Sequence, residues 1–370
     1  AEALAESFYA QFKEDAKELS FYEAIHLPEL LERAGRKKAR REVEENHDWF
    51  WRGLGAGDVY EIWGKLDEAL ELYQRCRGIA EELVQVRSTP KGQRNLFASY
   101  ERVGDIYEAQ GKLKEALKLY QQGLEIAEEL AQTRGAPEDQ RDLSVSYNRV
   151  ACIYEAQGRM EKALKLYQQG FEIAEELVQT RGTPEDQHDL SASYNRVADI
   201  YEAQGRLEEA LKLYQRGLAI SEELAQTRGT PGDQRDLSVS YERIAGIYEA
   251  QGKLEEALEL YQQGLAIAEE VVQARGAPED QRDLSVSYNK IAAIYKAQGK
   301  LEEALKLYQK DLAITEELVQ TRGTPEDQRD LSASYNKVAD IYEARGKLEE
   351  ALKLYQKDLA ITEELVQTRG

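Results

Sequence analysis

Polar side chains able to hold a peptide recur through this 370-residue chain at intervals of 47 residues or a multiple of it. One ladder is Arg94, Arg141, Arg235, Arg282 and Arg329, with His188 standing in the same series. A second is Asn148, Asn195, Asn289 and Asn336, in which Glu101 and Glu242 replace Asn. A third runs Glu108, Glu155, Glu202, Glu249, Lys296 and Glu343, and a more variable line runs Asp105, Cys152, Asp199, Gly246, Ala293 and Asp340. A carboxamide both donates to and accepts from a peptide backbone, a guanidinium grips a carboxylate through two parallel hydrogen bonds, and acids favour basic side chains. An extended peptide is a chemically sensible guest. The repeating units are nearly identical, so a ladder can also arise by copying, and variation along the fourth line can be drift.

Catalysis finds little support. His26, His47 and His188 are the only histidines, and none pairs with Cys, Ser or an acid at a recurrent spacing. Cys76 and Cys152 lie in different repeats with neither a CxxC pair nor a His nearby, which reads as small apolar cysteines rather than a disulfide framework or a zinc site. Gly53-Leu54-Gly55-Ala56-Gly57 looks like a phosphate loop, but no strand precedes it and Gly57 aligns with Gly104, Ala151 and Ala198, so close helix packing explains it better. The 22 tyrosines fall mostly in frame beside Leu and Ala, where packing with the hydroxyl reaching the surface is expected rather than base stacking. No catalytic residue, metal or cofactor is called for.

Seventy acidic residues against 49 basic ones give a formal charge of −21, which opposes nucleic acid as a main partner. With 42% hydrophobic and 32% charged residues, a packed core is available. No stretch approaches 18 uncharged apolar residues, and the first twenty carry acids rather than the basic-then-apolar order of a secretory signal. These features point to a cytoplasmic chain without a membrane partner.

The elements that carry the ladders follow from the same period. A Ser-Tyr pair recurs at Tyr100, Tyr147, Tyr194, Tyr241, Tyr288 and Tyr335, and six of the seven prolines keep step with it. In Arg181-Gly182-Thr183-Pro184-Glu185-Asp186, Gly closes one helix, Thr caps the next, Pro sits in its first turn and the acids meet its positive end. A second break at Gln204-Gly205 divides each unit into two helices of about 20 residues. The first carries an apolar stripe of Leu190, Tyr194, Val197, Ala198, Ile200 and Tyr201. The second carries Leu207, Ala210, Leu211, Tyr214 and Leu218. Neither hairpin can bury its stripe alone, so an all-α, right-handed superhelical solenoid of stacked antiparallel hairpins is expected.

Tyr147-x2-Val150-Ala151-x2-Tyr154, then Gly158, Ala163 and Tyr167, resembles the tetratricopeptide repeat pattern. The resemblance covers residues 49–370, as a partial unit over 49–88 and six full units over 89–370. Two departures are plain. The family's closing proline is replaced by the helical continuation Ala174–Gln179, and a position usually held by Ala carries Gly123, Gly170, Gly217, Gly264, Asp311 and Asp358. The chain is thus similar to long-helix arrays of kinesin light chains and bacterial signalling proteins. The resemblance implies that the first helix of each unit lines a concave groove, placing Arg141, Val145, Asn148, Cys152 and Glu155 on the inner face.

Residues 1–48 fall outside the repeat and read as a capping segment, with a helix over about Ala3–Leu19, a break near Ser20 and a second helix from about Leu27 to Glu45. The basic run Arg36–Arg41 suits an import signal, an acidic partner or simply a solvated helix face. Trp49, Trp51 and Trp63 are expected to seal the solenoid against this segment. The leading functional expectation is a non-catalytic scaffold binding a peptide or protein in the groove, as the sensor or recruiting part of a larger protein. The alternatives are a structural spacer that self-associates through its uncapped C-terminal repeat, and the regulatory region of an enzyme whose catalytic domain lies outside these residues.

Overall fold

The computed structural model describes residues 6–10, 13, 27, 30–31, 33–44, 47–62 and 64–367. Its helices are α1 (Lys37–Glu44), α2 (His47–Ile62), α3 (Leu66–Val86), α4 (Pro90–Ala109), α5 (Leu113–Thr133), α6 (Pro137–Ala156), α7 (Met160–Thr180), α8 (Pro184–Ala203), α9 (Leu207–Thr227), α10 (Pro231–Ala250), α11 (Leu254–Ala274), α12 (Pro278–Ala297), α13 (Leu301–Thr321), α14 (Pro325–Ala344) and α15 (Leu348–Gln367). The chain divides into two compact units, Ala1–Thr180 and Arg181–Gly370. Within each, every helix from α2 onward packs against its neighbours in sequence, the arrangement of a helical-hairpin solenoid.

The turn inside each hairpin follows from one glycine. At Gly205, φ is 73°, which lets the Arg206 N–H reach back to the Tyr201 carbonyl at 2.8 Å and close α8. The Arg206 guanidinium then lies over the Tyr201 ring, 4.0 Å from its centroid, and Lys112 over Tyr107 and Lys300 over Tyr295 repeat the contact at 5.6 and 5.5 Å. Between hairpins, the Thr183 hydroxyl accepts from the Asp186 N–H while the Asp186 carboxylate accepts from the Thr183 N–H, a reciprocal cap repeated at Thr230 and Thr324. Ala136 and Ala277 stand at the same position without a side-chain cap. Thr230→Ala is therefore expected to cost about 1 kcal/mol. Hydrogen exchange should show the loss as faster exchange confined to the first turn of α10.

Each core joins one hairpin to the next. In the second unit Ala198, Ala210 and Tyr214 pack with Ile244 and Ile247, and in the first Ala116 and Tyr120 pack with Val150 and Ile153. The stripes read from sequence are these buried faces. A Cβ built on Gly104 would lie 2.5 Å from the Tyr120 ring, so this position faces a close approach between the two helices of a hairpin. Gly57 does the same against Tyr73, at 2.2 Å, and Gly53–Gly57 lies wholly inside α2. The glycine string is a packing surface.

At the start of the chain Leu27, Leu31 and Val43 share one core with Phe50, Leu54 and Tyr73. The expected helix from Leu27 to Glu45 is broken: Gly35 adopts a φ of 71°, the Arg36 N–H bonds to the Leu31 carbonyl at 2.8 Å, and α1 begins only at Lys37. Of the helix expected over Ala3–Leu19, residues 6–10 and 13 are described and helical, and the break near Ser20 lies outside the described residues. Of the tryptophans expected to seal this end, Trp51 is 44% exposed and stands edge-to-face with Phe50, while Phe50 and Leu54 fill the core. The side chains of Trp49 and Trp63 lie outside the described residues. In the basic run, Lys37 and Lys38 are exposed and Arg36 pairs with Glu6.

Candidate partner-binding face

The ladders fall on the first helices of the hairpins, and most of their members are engaged with other side chains of the array. Arg94 donates to Asp139 in the first turn of the next hairpin's helix at 2.7 Å, and Arg282 donates to Asp327 at 2.7 Å and Asp330 at 3.1 Å. Arg235 pairs with Asp283. Arg94 and Arg282 thus clamp their hairpins to the buried N-terminal acid of the following one, and Arg235 holds the next hairpin one turn further along. Arg141 lies half-buried in the same series, and Arg329 is exposed.

The aspartate line is engaged from both sides. Asp105 hydrogen-bonds with the buried Tyr120 hydroxyl at 2.7 Å and pairs with Arg149 of the next hairpin at 3.0 Å. Asp199 does so with Tyr214, at 2.6 Å, and Arg243; Asp340 meets the half-buried Tyr355 and Lys296 of the preceding hairpin, both at 2.9 Å. Glu108, Glu155, Glu202, Glu249 and Glu343 accept from the hydroxyls of Tyr120, Tyr167, Tyr214, Tyr261 and Tyr355 in turn. Burial first, and then the neighbouring carboxylates, push the phenol pKa of Tyr120 and Tyr214 far upward. These tyrosines are permanent neutral donors.

The asparagines sit deeper than the groove expectation had them. The Asn148 and Asn195 carboxamides lie on the seam between the two helices of their own hairpins, each oxygen 3.0 Å from where a Cβ on Gly170 or Gly217 would be. In these hairpins glycine leaves room for the large polar side chain that the first helix sends against it, whereas Asn289 and Asn336 are matched with Asp311 and Asp358. Glu101 meets Gly123 in the same way at 3.1 Å, and Asn336 is half-buried opposite Asp358, which accepts from Ser332. The Oδ1 atoms of Asn148, Asn195 and Asn289 are buried without a hydrogen-bond donor.

One stretch of this face opens into a cleft of about 180 Å³ between α8 and α10, floored by Ser221 and Leu224 of α9. His188, Ala192 and Asn195 form one wall, and Asp236, Val239 and Arg243 the other. Its origin is a change of size. His188 replaces the ladder arginine, and Ala192 stands where α6, α10 and α12 have Val145, Val239 and Val286. The His188 Nε2 keeps the ion pair to Asp236 at 3.0 Å, but the short ring does not reach Asp233 as an arginine would, so space remains. Hydrogen bonds donated to the Asp189 and Asp236 carboxylates raise the His188 pKa to about 10, so the imidazole is a cation at neutral pH. The cleft therefore combines imidazolium and guanidinium cations, the hydroxyls of Ser221 and Ser240, and an apolar patch of Ala192 and Val239. His188 and Ser221, where sister repeats have Ala or Thr, were visible as deviations in the sequence, whereas their meeting in one cleft was not.

No group of three His, Cys, Asp or Glu residues able to hold a metal occurs among the described residues, and no helix among them is long and apolar enough to cross a membrane. Cys76 is buried, which pushes its thiol pKa up to about 12, and Cys152 lies 3.1 Å from the Tyr167 hydroxyl.

A family model described as the tetratricopeptide repeat matches residues 96–176, 189–270 and 283–364. The chain belongs to the tetratricopeptide repeat family. No curated protein sequence matches this array. Among solved structures, BtubC from P. vanneervenii is 22% identical with a TM-score of 0.55, over 68% of this chain and 92% of its own. A signal-transduction ATPase with a tetratricopeptide repeat sensor from Pyrococcus horikoshii is 16% identical with a TM-score of 0.59, over 99% of this chain, which spans 51% of that protein's length. A Rap protein complexed with Competence and Sporulation Factor is 16% identical with a TM-score of 0.55, over 98% and 93%. At these identities the likeness is one of fold.

Proposed function

We propose that this tetratricopeptide array is a non-catalytic interaction scaffold that receives an extended segment of a protein partner along its first-helix face, anchored in the cleft between α8 and α10. The observation that carries this reading is where the repeat pattern is broken. Most polar groups of the face are consumed in holding hairpins together, but His188 and Ser221 depart from the sister repeats and converge on one cleft with Ala192, which stands where α6, α10 and α12 have Val. Cations, hydroxyls and a small apolar patch side by side suit a peptide backbone with a short polar or acidic side chain. Asn195 contributes at the anchor and Asn289 and Arg329 belong to the same face of the second unit, while Arg94, Asp105, Arg141 and Asn148 belong to the corresponding face of the first. A sensor role within a larger protein is supported by analogy with the repeat sensor of the Pyrococcus ATPase, and a peptide ligand by analogy with the Rap complex.

The test restores the sister sequence. A partner captured by the purified chain is titrated by calorimetry against wild type, against His188→Arg with Ala192→Val, and against Ala333→Val on α14 as a control. The double substitution is expected to fill the cleft and weaken binding at least tenfold, about 1.4 kcal/mol, without lowering the melting temperature. Equal affinity for all three proteins overturns the reading.

A further inference from the structure

One tyrosine of each second helix, Tyr73 and every 47th residue after it as far as Tyr355, shares a single register. All but one donate the hydroxyl to a carboxylate of their own hairpin's first helix, twelve or fifteen residues earlier. Tyr308 is the exception, because α12 carries Ala293 and Lys296 at those two places. The ring is 5% exposed and packs with Val338 and Ile341, yet the hydroxyl, still open to solvent, has no hydrogen-bond partner among the described residues. Burial, with Asp340 and Asp311 nearby, pushes its pKa up to about 12, so it remains a donor. The cause lies in the first helix alone. Over Leu348–Gln367, α15 repeats the sequence of α13 without a difference, and its Tyr355 finds Asp340 and Glu343, both at 2.9 Å.

The cation of the same pattern has lost its acid as well. Asp105 is held between the Tyr120 hydroxyl at 2.7 Å and Arg149 of the next hairpin at 3.0 Å, and Asp199 between Tyr214 and Arg243, the cation standing 44 residues after the acid each time. Lys337 of α14 occupies that place with respect to Ala293, and it makes no ion pair among the described residues. Lys296 is already spent on Asp340, at 2.9 Å, so these two charges offset each other beside the site. The exposed Ala293 methyl marks its centre. A Cβ built at the sister position Gly246 would lie 3.7 Å from the Tyr261 hydroxyl. We propose that the surface over Ala293 is a carboxylate subsite, in which an aspartate or glutamate side chain of the bound partner takes the place of the ladder acid, accepting from the Tyr308 hydroxyl and pairing with Lys337. The array itself shows how a carboxylate is held there, by one neutral donor fixed in the core and one cation from the following hairpin. The subsite rests on this face receiving a partner but not on the cleft between α8 and α10, so either can fail alone.

The probe is N-acetyl-L-aspartate N-methylamide, a side-chain carboxylate on a blocked backbone, titrated into the whole chain isotope-labelled at its alanine methyls. The Ala293 methyl resonance, assigned by its loss in Ala293→Gly, is expected to shift saturably, and the matching asparagine compound should leave it in place. Tyr308→Phe and Lys337→Met should each weaken the response at least about fivefold. Neither should lower the melting temperature, since neither group has a partner to lose, whereas Tyr214→Phe, which takes the shared donor from Asp199 and Glu202, should lower it. Ala293→Asp supplies the acid from within, and it should abolish the response while raising the melting temperature. A flat titration, or equal shifts with the asparagine compound or with sulfate, overturns the proposal. So does a stronger response to N-acetylglycine, which would put a chain terminus there, or a response that survives Tyr308→Phe or Lys337→Met unchanged.

Discussion

Replacing Glu101 by Asn is expected to stabilise the first unit at pH 9 by a few kcal/mol and to leave it little changed at pH 4. Glu101 occupies the asparagine position on the seam of its hairpin, where Oε1 is buried without a donor and Oε2 has only the Arg149 guanidinium, at 3.5 Å. Burial is the dominant influence and pushes its pKa to about 8 against the pull of Arg149. For an acid whose pKa is higher in the folded state, the folded form is favoured while the group stays protonated. That contribution is whole below pH 4.5 and is lost progressively as the pH rises to about 8. Asn carries no proton to lose, and Asn148 shows that the seam accepts it. Urea unfolding of wild type and Glu101→Asn across pH 4 to 9 should give curves that meet at the acid end and part at the alkaline end. Parallel curves would mean that folding leaves the Glu101 pKa unshifted. Glu242, raised to about 7 by burial with Ser287 donating to it, should behave alike in the second unit.

Asp327→Ala is expected to cost about 3 kcal/mol and to loosen α14 and α15 first. The carboxylate is fully buried and accepts from the Thr324 backbone and hydroxyl at 3.1 and 2.7 Å, from Arg322 at 2.8 Å and from Arg282 of the preceding hairpin at 2.7 Å. Deletion removes a helix cap and leaves two guanidinium groups short of their acceptor. Because each hairpin leans only on its neighbours, the damage stays local. Hydrogen exchange should therefore report lost protection after residue 322 while α8 and α9 hold theirs. Burial alone would raise the Asp327 pKa, but the bonds from Arg322 and Thr324 bring it below the ordinary value. Its contribution is present above pH 3.8 and is lost as the pH falls through the lowered value. Wild type and Asp327→Ala should converge in acid, the mirror image of the Glu101 result.

The period, the turn glycines, the threonine caps and the buried stripes were legible because each is a local signal repeated many times. The break at Gly35 was not, since that segment has no sister copy against which to compare it. The ladders were visible too, but their partners were hidden by the same period. Arg94 meets Asp139 and Arg149 meets Asp105, offsets of 45 and 44 that fall just short of the repeat length and appear only when neighbouring helices are laid side by side. Reading the ladders as a free surface overlooked that each rung has two sides. The asparagines carried a signal, because glycine replaces the family's usual Ala in the units where the first helix sends Asn148, Asn195, Glu101 or Glu242 against it.

The identity of α13 and α15 has a consequence for how the molecule is made. Between them lies α14, which during refolding from denaturant meets two chemically indistinguishable suitors, and choosing the wrong one miscounts the array by a whole hairpin. Synthesis from the N-terminus removes the ambiguity, since α13 is available before α15 exists. The small irregularities among the repeats, such as Gly264 giving way to Asp311 or Asn195 to Glu242, then serve as page numbers in a book whose pages otherwise read alike.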